Sequence, residues 1–293
     1  MTKACLLISH GTVDHLDELP EFLRNIRRGQ APPPELAEEV RRRYEAIGGK
    51  SPLNDIGLSL AKEVATQLGA PCVYAGRLWK PYAKQAVAQL VEGGAETVAV
   101  IPLAQFSAPV YVHHVRSVTS ELPVTIRGIG NWGTNRGLID LFAKRIRAVH
   151  VPGTPILFTA HSLPKFVVDS GDAYEKDVRA SADALLARLG ADFRGELCFQ
   201  SQGMSKGPEG KPVEWLGPDL LTTLKALAER GEKGVTIAPI GFLADHVEVL
   251  YDLDIEAYKL CEELGLTYKR MELLNDDPEF ATLLAGFARE ALS

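Results

Sequence analysis

The sequence predicts an α/β protein made of two similar domains, each a parallel sheet with helices on both faces, around a central cleft. Apolar segments of strand length alternate with segments of helix length along the 293-residue chain, which is typical of parallel sheets covered by helices. The same order of strand, turn and helix signals occurs once in each half. A row of carboxylates follows the last predicted strand, where ligands bind in such folds.

Segments rich in apolar and β-branched residues predict the strands. They are residues 4–9, 71–76, 98–103, 124–129, 156–159, 196–200 and 235–240. Helix-length patterns lie between and after them, at residues 35–46, 58–68, 83–92, 137–148, 174–189, 219–229 and 278–292. A glycine-rich stretch at residues 203–211 is predicted to be a flexible surface loop.

The internal repeat places two histidines at equivalent positions. In the first half a predicted strand ends in Ser9-His10, and in the second half one ends in Ala160-His161. Each half continues with a turn that contains tryptophan and proline, a helix, a glycine and another apolar strand. Both histidines are therefore expected at strand ends that face the cleft.

The repeat also predicts the domain limits. Residues 1–119 are expected to form the N-terminal domain, and residues 120–269 the C-terminal domain that carries His161 and Glu248. The C-terminal helix, within residues 270–293, is expected to pack back on the first domain.

Composition limits the classes of function. A net charge of −6 argues against a general nucleic-acid binder, although arginines crowd the segment between residues 24 and 43 and suit an anionic small molecule. Cys5, Cys72, Cys198 and Cys261 are widely spaced in sequence, which favours neither a disulfide framework nor a zinc or iron–sulfur site. We expect a soluble, cytoplasmic protein with no signal peptide or membrane span.

His161 and Glu248 are the strongest candidates for chemistry, because both lie at strand ends of the same half. One imidazole and one carboxylate can hold a divalent first-row metal. Two protein ligands are too few for a closed structural zinc site, so the ion would be held loosely and handed on. Glu248 as a general base and His161 as a structural residue are the competing interpretations.

Glu248, Asp252 and Glu256 recur every four residues and would share one face of an α-helix. Such a row is either a route for protons or cations or an ordinary solvated acidic surface. The spacing alone leaves both interpretations open.

Polar residues flank the proline-rich turn at residues 29–34. They are Arg27, Arg43, Tyr44 and Ser51. The arginines suit the carboxylates of an anionic ligand, since a guanidinium can bind a carboxylate with two parallel hydrogen bonds. A helix surface followed by a turn is the alternative, and His113 and His114 are equally open to either interpretation.

Several segments, taken in order, resemble the ferrochelatases along nearly the whole chain. They are Ile26-Arg27-Arg28-Gly29, Arg43-Tyr44-Glu45-Ala46-Ile47-Gly48-Gly49 with Ser51-Pro52-Leu53, Ala160-His161-Ser162-Leu163-Pro164 with Gly171-Asp172, Phe199-Gln200-Ser201, Trp215-Leu216-Gly217-Pro218, and residues 239–256. The resemblance implies two Rossmann-like, chelatase-type domains around a porphyrin cleft, which agrees with the repeat.

The resemblance also implies roles for particular residues. His161 and Glu248 match the catalytic, metal-binding pair of the family, and Asp252 and Glu256 match its acidic path for protons or metal. The residues around the proline-rich turn, Arg27, Arg43, Tyr44 and Ser51, match porphyrin-contacting positions of the soluble, coproporphyrin-using branch.

Two positions depart from that branch. His10 stands where the branch has a tyrosine that reaches the metal from the opposite face, so His10 is a candidate proximal ligand and porphyrin contact. His114 replaces a second porphyrin-contacting tyrosine. Both departures bear on substrate preference and proximal ligation, and they leave the reaction class intact.

The resemblance implies a lyase that inserts Fe²⁺ into a free-base porphyrin in haem biosynthesis. Coproporphyrin III is favoured because the charged segment at residues 14–30 has a basic end and lacks a long apolar lip. Fe²⁺ is then a substrate, and neither a prosthetic group nor an iron–sulfur cluster is expected. The expected partners are the porphyrin and Fe²⁺, without nucleic acid or stable membrane insertion; the oligomeric state stays open, and a monomer is compatible.

Three alternatives remain at this level. The enzyme could use protoporphyrin IX, or it could be a chelatase for another metal such as cobalt, because a His/Glu pair does not select among first-row ions by affinity. A non-catalytic haem or metal carrier is the alternative from a different class. A carrier has no need of a proton route, so the carboxylate row argues against it.

Overall fold

Two parallel sheets organise the chain, and a computed structural model describes them over residues 2–202 and 212–293. The predicted loop at residues 203–211 lies outside the described residues. The first unit comprises Met1–Trp132, Leu243–Val247 and Leu274–Ser293, and the second comprises Gly133–Phe242 and Glu248–Leu273. Within the described residues each unit has one four-stranded sheet with helices on both faces, so the α/β prediction is confirmed.

The sheet of the first unit is parallel throughout and has the order β2-β1-β3-β4. Its strands are β1 (Lys3–Ser9), β2 (Cys72–Gly76), β3 (Thr97–Pro102) and β4 (Thr125–Gly128). A 3₁₀ turn at Leu16–Glu18 precedes α1 (Leu19–Ile26), and the other helices are α2 (Pro34–Ala46), α3 (Leu53–Leu68), α4 (Ala83–Glu92), α5 (Ala108–Val118) and the C-terminal α12 (Pro278–Leu292). Helices α3 and α12 cover one face of the sheet, and α4 and α5 cover the other.

Strand periodicity explains the core of the first unit. Leu6 and Ile8 are two residues apart on β1, so their side chains share one face, where they join Val87 of α4 and Val115 of α5 in one buried cluster. Burying an aliphatic side chain of this kind stabilises a fold by about 2 kcal/mol. Both faces of β1 are covered, and this is why its sequence is a continuous apolar run and not an alternating one.

The second unit repeats this topology, with a parallel sheet in the order β6-β5-β7-β8. Its strands are β5 (Ile156–His161), β6 (Gly195–Gln200), β7 (Gly234–Ala238) and β8 (Thr267–Arg270). The helices are α6 (Arg136–Val149), α7 (Lys165–Asp169), α8 (Tyr174–Leu189), α9 (Leu220–Glu229), α10 (Val247–Tyr251) and α11 (Tyr258–Leu264), and α10 belongs to this unit from Glu248 onward. Helices α6 and α8 pack on one face, and α9 and α11 on the other.

The repeat extends to single hydrogen bonds. In the first unit the Gly76 amide donates to the Pro81 carbonyl at 2.8 Å, and in the second the Phe199 amide donates to the Pro218 carbonyl at 2.9 Å. In both units the bond ties the end of the second strand to the proline turn before the next helix. The repeated tryptophan and proline signals therefore correspond to one repeated turn.

Two elements differ from the sequence prediction. Strand β8 was not predicted, because its four residues alternate between exposed and partly buried positions and form no apolar run. The acidic segment after β7 was predicted as a regular helix, but α10 ends at Tyr251 and a π-helical turn follows at Asp252–Ala257. Within the described ranges, no helix combines the length and the apolar character needed to cross a membrane.

All four cysteines lie in the described part of the chain and are free thiols. Cys5 and Cys72, distant in sequence, are register partners on β1 and β2. A hydrogen bond with Cys72, together with burial, raises the pKa of the Cys5 thiol well above its usual range. A buried thiol of this kind is a poor metal ligand, since metals bind the thiolate.

Candidate active site

Local packing places His161 at the carboxyl end of β5. Residues 156–160 are fully buried, so the strand runs through the core and presents His161 at its end. The Gly241 amide donates to the Thr159 carbonyl at 2.9 Å. A Cβ on Gly241 would lie 2.6 Å from the Cα atom of Ala160, so glycine is what allows the segment after β7 to pass this close to β5 on its way to Glu248.

His161 and Glu248 form a pair. The Nε2 atom of His161 lies 3.6 Å from Oε1 of Glu248, and their side chains are 33% and 38% exposed. On the other side of the ring, Nδ1 forms a short hydrogen bond with the Ser162 carbonyl. A carbonyl only accepts, so Nδ1 carries the proton, and the lone pair of the neutral ring lies at Nε2, as in metal-binding histidines.

The pKa of His161 reflects two opposing effects. Burial disfavours the charged imidazolium, but attraction to the nearby carboxylate of Glu248, the hydrogen bond with Ser162 and the charge of Asp252 outweigh it. Together they raise the pKa of His161 to about 8. The pair therefore holds a proton at neutral pH and would release it to a cation bound at the same two atoms.

Asp252 is buried, with 6% of its surface exposed. The Ser201 hydroxyl donates a short hydrogen bond to its Oδ2 atom. Glu256, four residues further on, is partly buried. Asp252 is therefore not part of a solvated acidic surface. It is buried, and the Ser201 hydroxyl supplies the polar partner that a buried carboxylate needs.

The predicted α-helical spacing of the acidic residues needs correction. The Tyr258 amide bonds to the Leu253 carbonyl, five residues back, which is the pattern of a π-helical turn. Short π-helical turns occur mostly within α-helices and frequently at functional sites. The predicted route from Asp252 to Glu256 would thus cross a widened turn and not a regular α-helical face.

The other predicted site residues lie in the first unit. His10 follows β1 and is exposed. Its carbonyl accepts the Leu78 amide at 2.9 Å, and its ring meets Phe22 edge-on with 6.2 Å between centroids. These contacts hold the backbone beside His10, and its role as a proximal ligand stays a prediction.

The predicted porphyrin contacts differ in their surroundings. Tyr44 is 1% exposed and its hydroxyl lies 2.7 Å from Thr12 Oγ1, while Ser51 is fully buried. Arg43 donates to Glu39 at 2.7 Å. Arg27 has a buried Nε atom without a hydrogen-bond partner in the described part of the chain. Their contact with porphyrin stays a prediction.

The structure adds Arg77 beside His114. The Arg77 guanidinium lies 5.5 Å from the centre of the Tyr111 ring. Burial, the charge of Arg77 and the neighbouring His113 lower the pKa of His114. The sequence prediction missed Arg77, although it follows β2 as His10 follows β1, and that shared position at the carboxyl edge of one sheet was an available signal.

Ser201 was also missed as a partner of Asp252. It directly follows β6, the neighbour of β5, and Gln200 is the register partner of His161. A polar residue at the end of the strand next to a candidate histidine was the signal. Among residues 2–202 and 212–293, no group of three or more His, Cys, Asp or Glu side chains is arranged to hold a metal, so His161 and Glu248 stand as a two-residue pair.

The fold is that of two-domain chelatases. SirB from Bacillus subtilis with Fe³⁺ superposes with a TM-score of 0.64 at 15% identity, covering 99% of this chain and 96% of that chain. The sirohydrochlorin chelatase SirB from Bacillus subtilis subspecies spizizenii in complex with cobalt gives 0.60 at 13% identity, covering 99% and 95%. At these identities the similarity shows a shared fold alone.

Sequence similarity identifies the family. The ferrochelatase family model matches residues 2–292. The ferrochelatase of Acidobacterium capsulatum is 36% identical over 99% of this chain and 94% of its own, and the coproporphyrin III ferrochelatase of Geobacillus sp. is 32% identical over 96% and 94%. The chain belongs to the ferrochelatase family and is an enzyme, a porphyrin metal chelatase.

Proposed function

We propose that the protein inserts Fe²⁺ into the free base of coproporphyrin III as a step of haem biosynthesis. The observation that carries the proposal is the 3.6 Å separation of His161 Nε2 and Glu248 Oε1. If one ion bound both atoms with bonds of about 2.1 Å, the angle between the two bonds at the ion would be about 120°. Two ligands of this kind hold a first-row ion and leave its other positions open to the porphyrin nitrogens.

Proton release is the second requirement of the reaction, because a free-base porphyrin loses two N–H protons when a divalent ion enters. The His161–Glu248 pair already binds a proton at neutral pH and would release it when Fe²⁺ takes its place, so the pyrrole protons need a further acceptor. Asp252, buried beside Ser201, and then Glu256 continue the row of carboxylates away from that pair. In this proposal the row removes protons from the site while Fe²⁺ occupies His161 and Glu248.

The choice of coproporphyrin III is supported by charge and by relatives. Coproporphyrin III carries four propionates and protoporphyrin IX two, so it needs more cationic partners. Arg24, Arg28 and Arg42 are exposed on or beside α1 and α2, near the predicted contact Arg27 in sequence. Relatives named coproporphyrin III ferrochelatase, from Mycobacterium ulcerans and Geobacillus sp., are each 32% identical to this chain.

Single substitutions of the pair test the proposal. His161→Ala and Glu248→Gln are each expected to lower kcat for Fe²⁺ insertion by about 100-fold or more, because each removes a ligand of the ion and breaks the pair that exchanges its proton for the ion. Porphyrin affinity should stay near the wild-type value. The measurement is an anaerobic insertion assay, combined with a porphyrin absorbance titration.

Glu214→Gln is the matched control, since Glu214 pairs with Lys165 at the surface of the same unit. It should retain wild-type turnover. Near-wild-type turnover in either His161→Ala or Glu248→Gln would remove the basis of the proposal.

A further inference from the structure

Two side chains of β8 form hydrogen bonds with the π-helical turn. The Tyr268 hydroxyl donates to the Leu253 carbonyl at 2.9 Å. Arg270 donates from Nε and Nη2 to the two carboxylate oxygens of Asp254 at 2.6 and 2.8 Å. Tyr268 and Arg270 are two residues apart on one strand, so both side chains project from the same face of the sheet.

These contacts involve the residues that make the turn π-helical. The Leu253 carbonyl, which accepts the Tyr268 hydroxyl, also accepts the Tyr258 amide of the i→i+5 bond. The Tyr258 ring meets the Tyr268 ring edge-on, with centroids 5.7 Å apart and planes at 89°. Tyr268 therefore contacts both residues, Leu253 and Tyr258, that form the i→i+5 hydrogen bond.

The ion pair between Arg270 and Asp254 adds a second contact between β8 and the π-helical turn. The Arg270 side chain is 15% exposed and that of Asp254 is 35% exposed, so the two parallel hydrogen bonds between them are partly shielded from water. Bidentate arginine–carboxylate pairs fix geometry as well as charge. Because π-helical turns are rare, we expect this one to depend on contacts from outside the helix.

The turn determines where Asp252 lies. Asp252 is the residue directly before Leu253, is buried and accepts the Ser201 hydroxyl. A helix advances about 100° per residue, so relaxation of the extra residue into regular α-helix would rotate one side of the turn by about that angle relative to the other. Asp252 and Glu256 would then no longer keep their present alignment.

We propose that Tyr268 and Arg270 are positioning residues for metal insertion, which hold the π-helical turn so that Asp252 stays beside Ser201 and next in line after Glu248. The inference rests on the proposed function, in which Asp252 takes part in removing protons. Neither residue needs to touch porphyrin or metal, since both act through the backbone of Leu253 and the side chain of Asp254.

The first test compares conservative substitutions. Tyr268→Phe removes one hydroxyl, and Arg270→Lys keeps the charge but loses the paired hydrogen bonds. Each is expected to lower kcat for Fe²⁺ insertion about tenfold or more, with the KM for porphyrin unchanged, because small displacements of catalytic groups reduce rates strongly. The solvent deuterium isotope effect on kcat should rise, since proton removal becomes more limiting.

Arg194→Lys is the matched control. Arg194 makes an equally close bidentate pair with Glu232, both contacts at 2.6 Å, at the amino-terminal end of β6 and β7. It should keep wild-type kcat and isotope effect, with a smaller loss of unfolding midpoint because the Arg194 side chain is 54% exposed. A kcat in both Tyr268→Phe and Arg270→Lys equal to that of Arg194→Lys would overturn the inference.

A double-mutant cycle tests whether the effect passes through Asp252. Asp252→Asn should itself lower kcat, and Arg270→Lys should cost little more in that background, because the two changes act on one step. A full additional loss in the Asp252→Asn background, or wild-type turnover in Asp252→Asn alone, would overturn the inference. Either result leaves the His161 and Glu248 test of the proposed function untouched.

Discussion

At the scale of single residues, His161 acquires its properties from neighbours that are distant in sequence. The carbonyl of Ser162 orients the ring, and Glu248 and Asp252 supply negative charge. Burial alone would lower the pKa of a histidine, so the direction of its shift depends on these carboxylates. The same arrangement suits a cation, since a metal ion replaces the proton that the pair binds.

Stability should depend on pH through His161. Its pKa is about 8 in the fold against an ordinary value of about 6.5, so the protonated form is favoured by folding. The contribution is fully present below about pH 6.5 and is lost as the pH rises through about 8. The gap corresponds to about 2 kcal/mol, and screening of a side chain that is 33% exposed reduces it to about 1 kcal/mol.

Urea denaturation of the wild type and Glu248→Gln measures this contribution. The free energy of unfolding of the wild type, relative to the variant, should fall by about 1 kcal/mol between about pH 6 and about pH 9. Taking the difference removes the titration of groups that both proteins share. A difference that is constant over this range would contradict the assignment of the raised pKa to Glu248.

At the scale of elements, the close approach of the Gly241 segment to β5 connects the strand that ends in His161 with the helix that begins before Glu248. Gly241→Ala is expected to destabilise the fold by about 2 kcal/mol, because the new Cβ would meet backbone and side-chain atoms of Ala160. The urea unfolding midpoint measures the effect. Insertion activity should fall as well, since relief of the clash moves Glu248 away from His161.

Gly286→Ala is the control, and its expected effect on stability is opposite to that of Gly241→Ala. Gly286 lies within α12, and a Cβ there would meet nothing within 4 Å. Alanine in a helix interior should increase stability by about 1 kcal/mol relative to glycine. Equal midpoints for Gly241→Ala and the wild type would show that β5 and the Gly241 segment can separate at little cost.

At the scale of the whole molecule, the porphyrin is the open question, and an absorbance titration addresses it. Coproporphyrin III is expected to bind at least about tenfold more tightly than protoporphyrin IX, because two further propionates meet a basic segment, and even one further charge-assisted hydrogen bond contributes about 1.5 kcal/mol. Addition of Fe²⁺ after each titration should convert the coproporphyrin III spectrum faster.

Arg27→Gln should reduce the preference for coproporphyrin III, while Arg136→Gln, exposed at the start of α6 and outside the basic segment, should leave it nearly unchanged. Tighter binding and faster conversion of protoporphyrin IX would refute the coproporphyrin assignment. Insertion of iron into either porphyrin would still be consistent with the family and with the His161–Glu248 pair.

The α/β class, most strands and helices, and the family could be predicted from the amino-acid sequence. These depend on local signals: apolar runs predict buried strands, helical periodicity predicts α4 and α8 with their observed limits, and short motifs in a fixed order carry the resemblance. His161 and Glu248 could be selected for the same reason, since each lies next to a recognisable strand end.

The distances and contacts between these residues could be read only from the folded structure. It showed the 3.6 Å contact of His161 with Glu248, the burial of Asp252 against Ser201 and the π-helical turn. The turn could not be predicted because its partners, Tyr268 and Arg270, lie on a strand without an apolar signal. Hydrogen bonds between residues distant in sequence, which no local pattern records, therefore set the geometry of the carboxylate row.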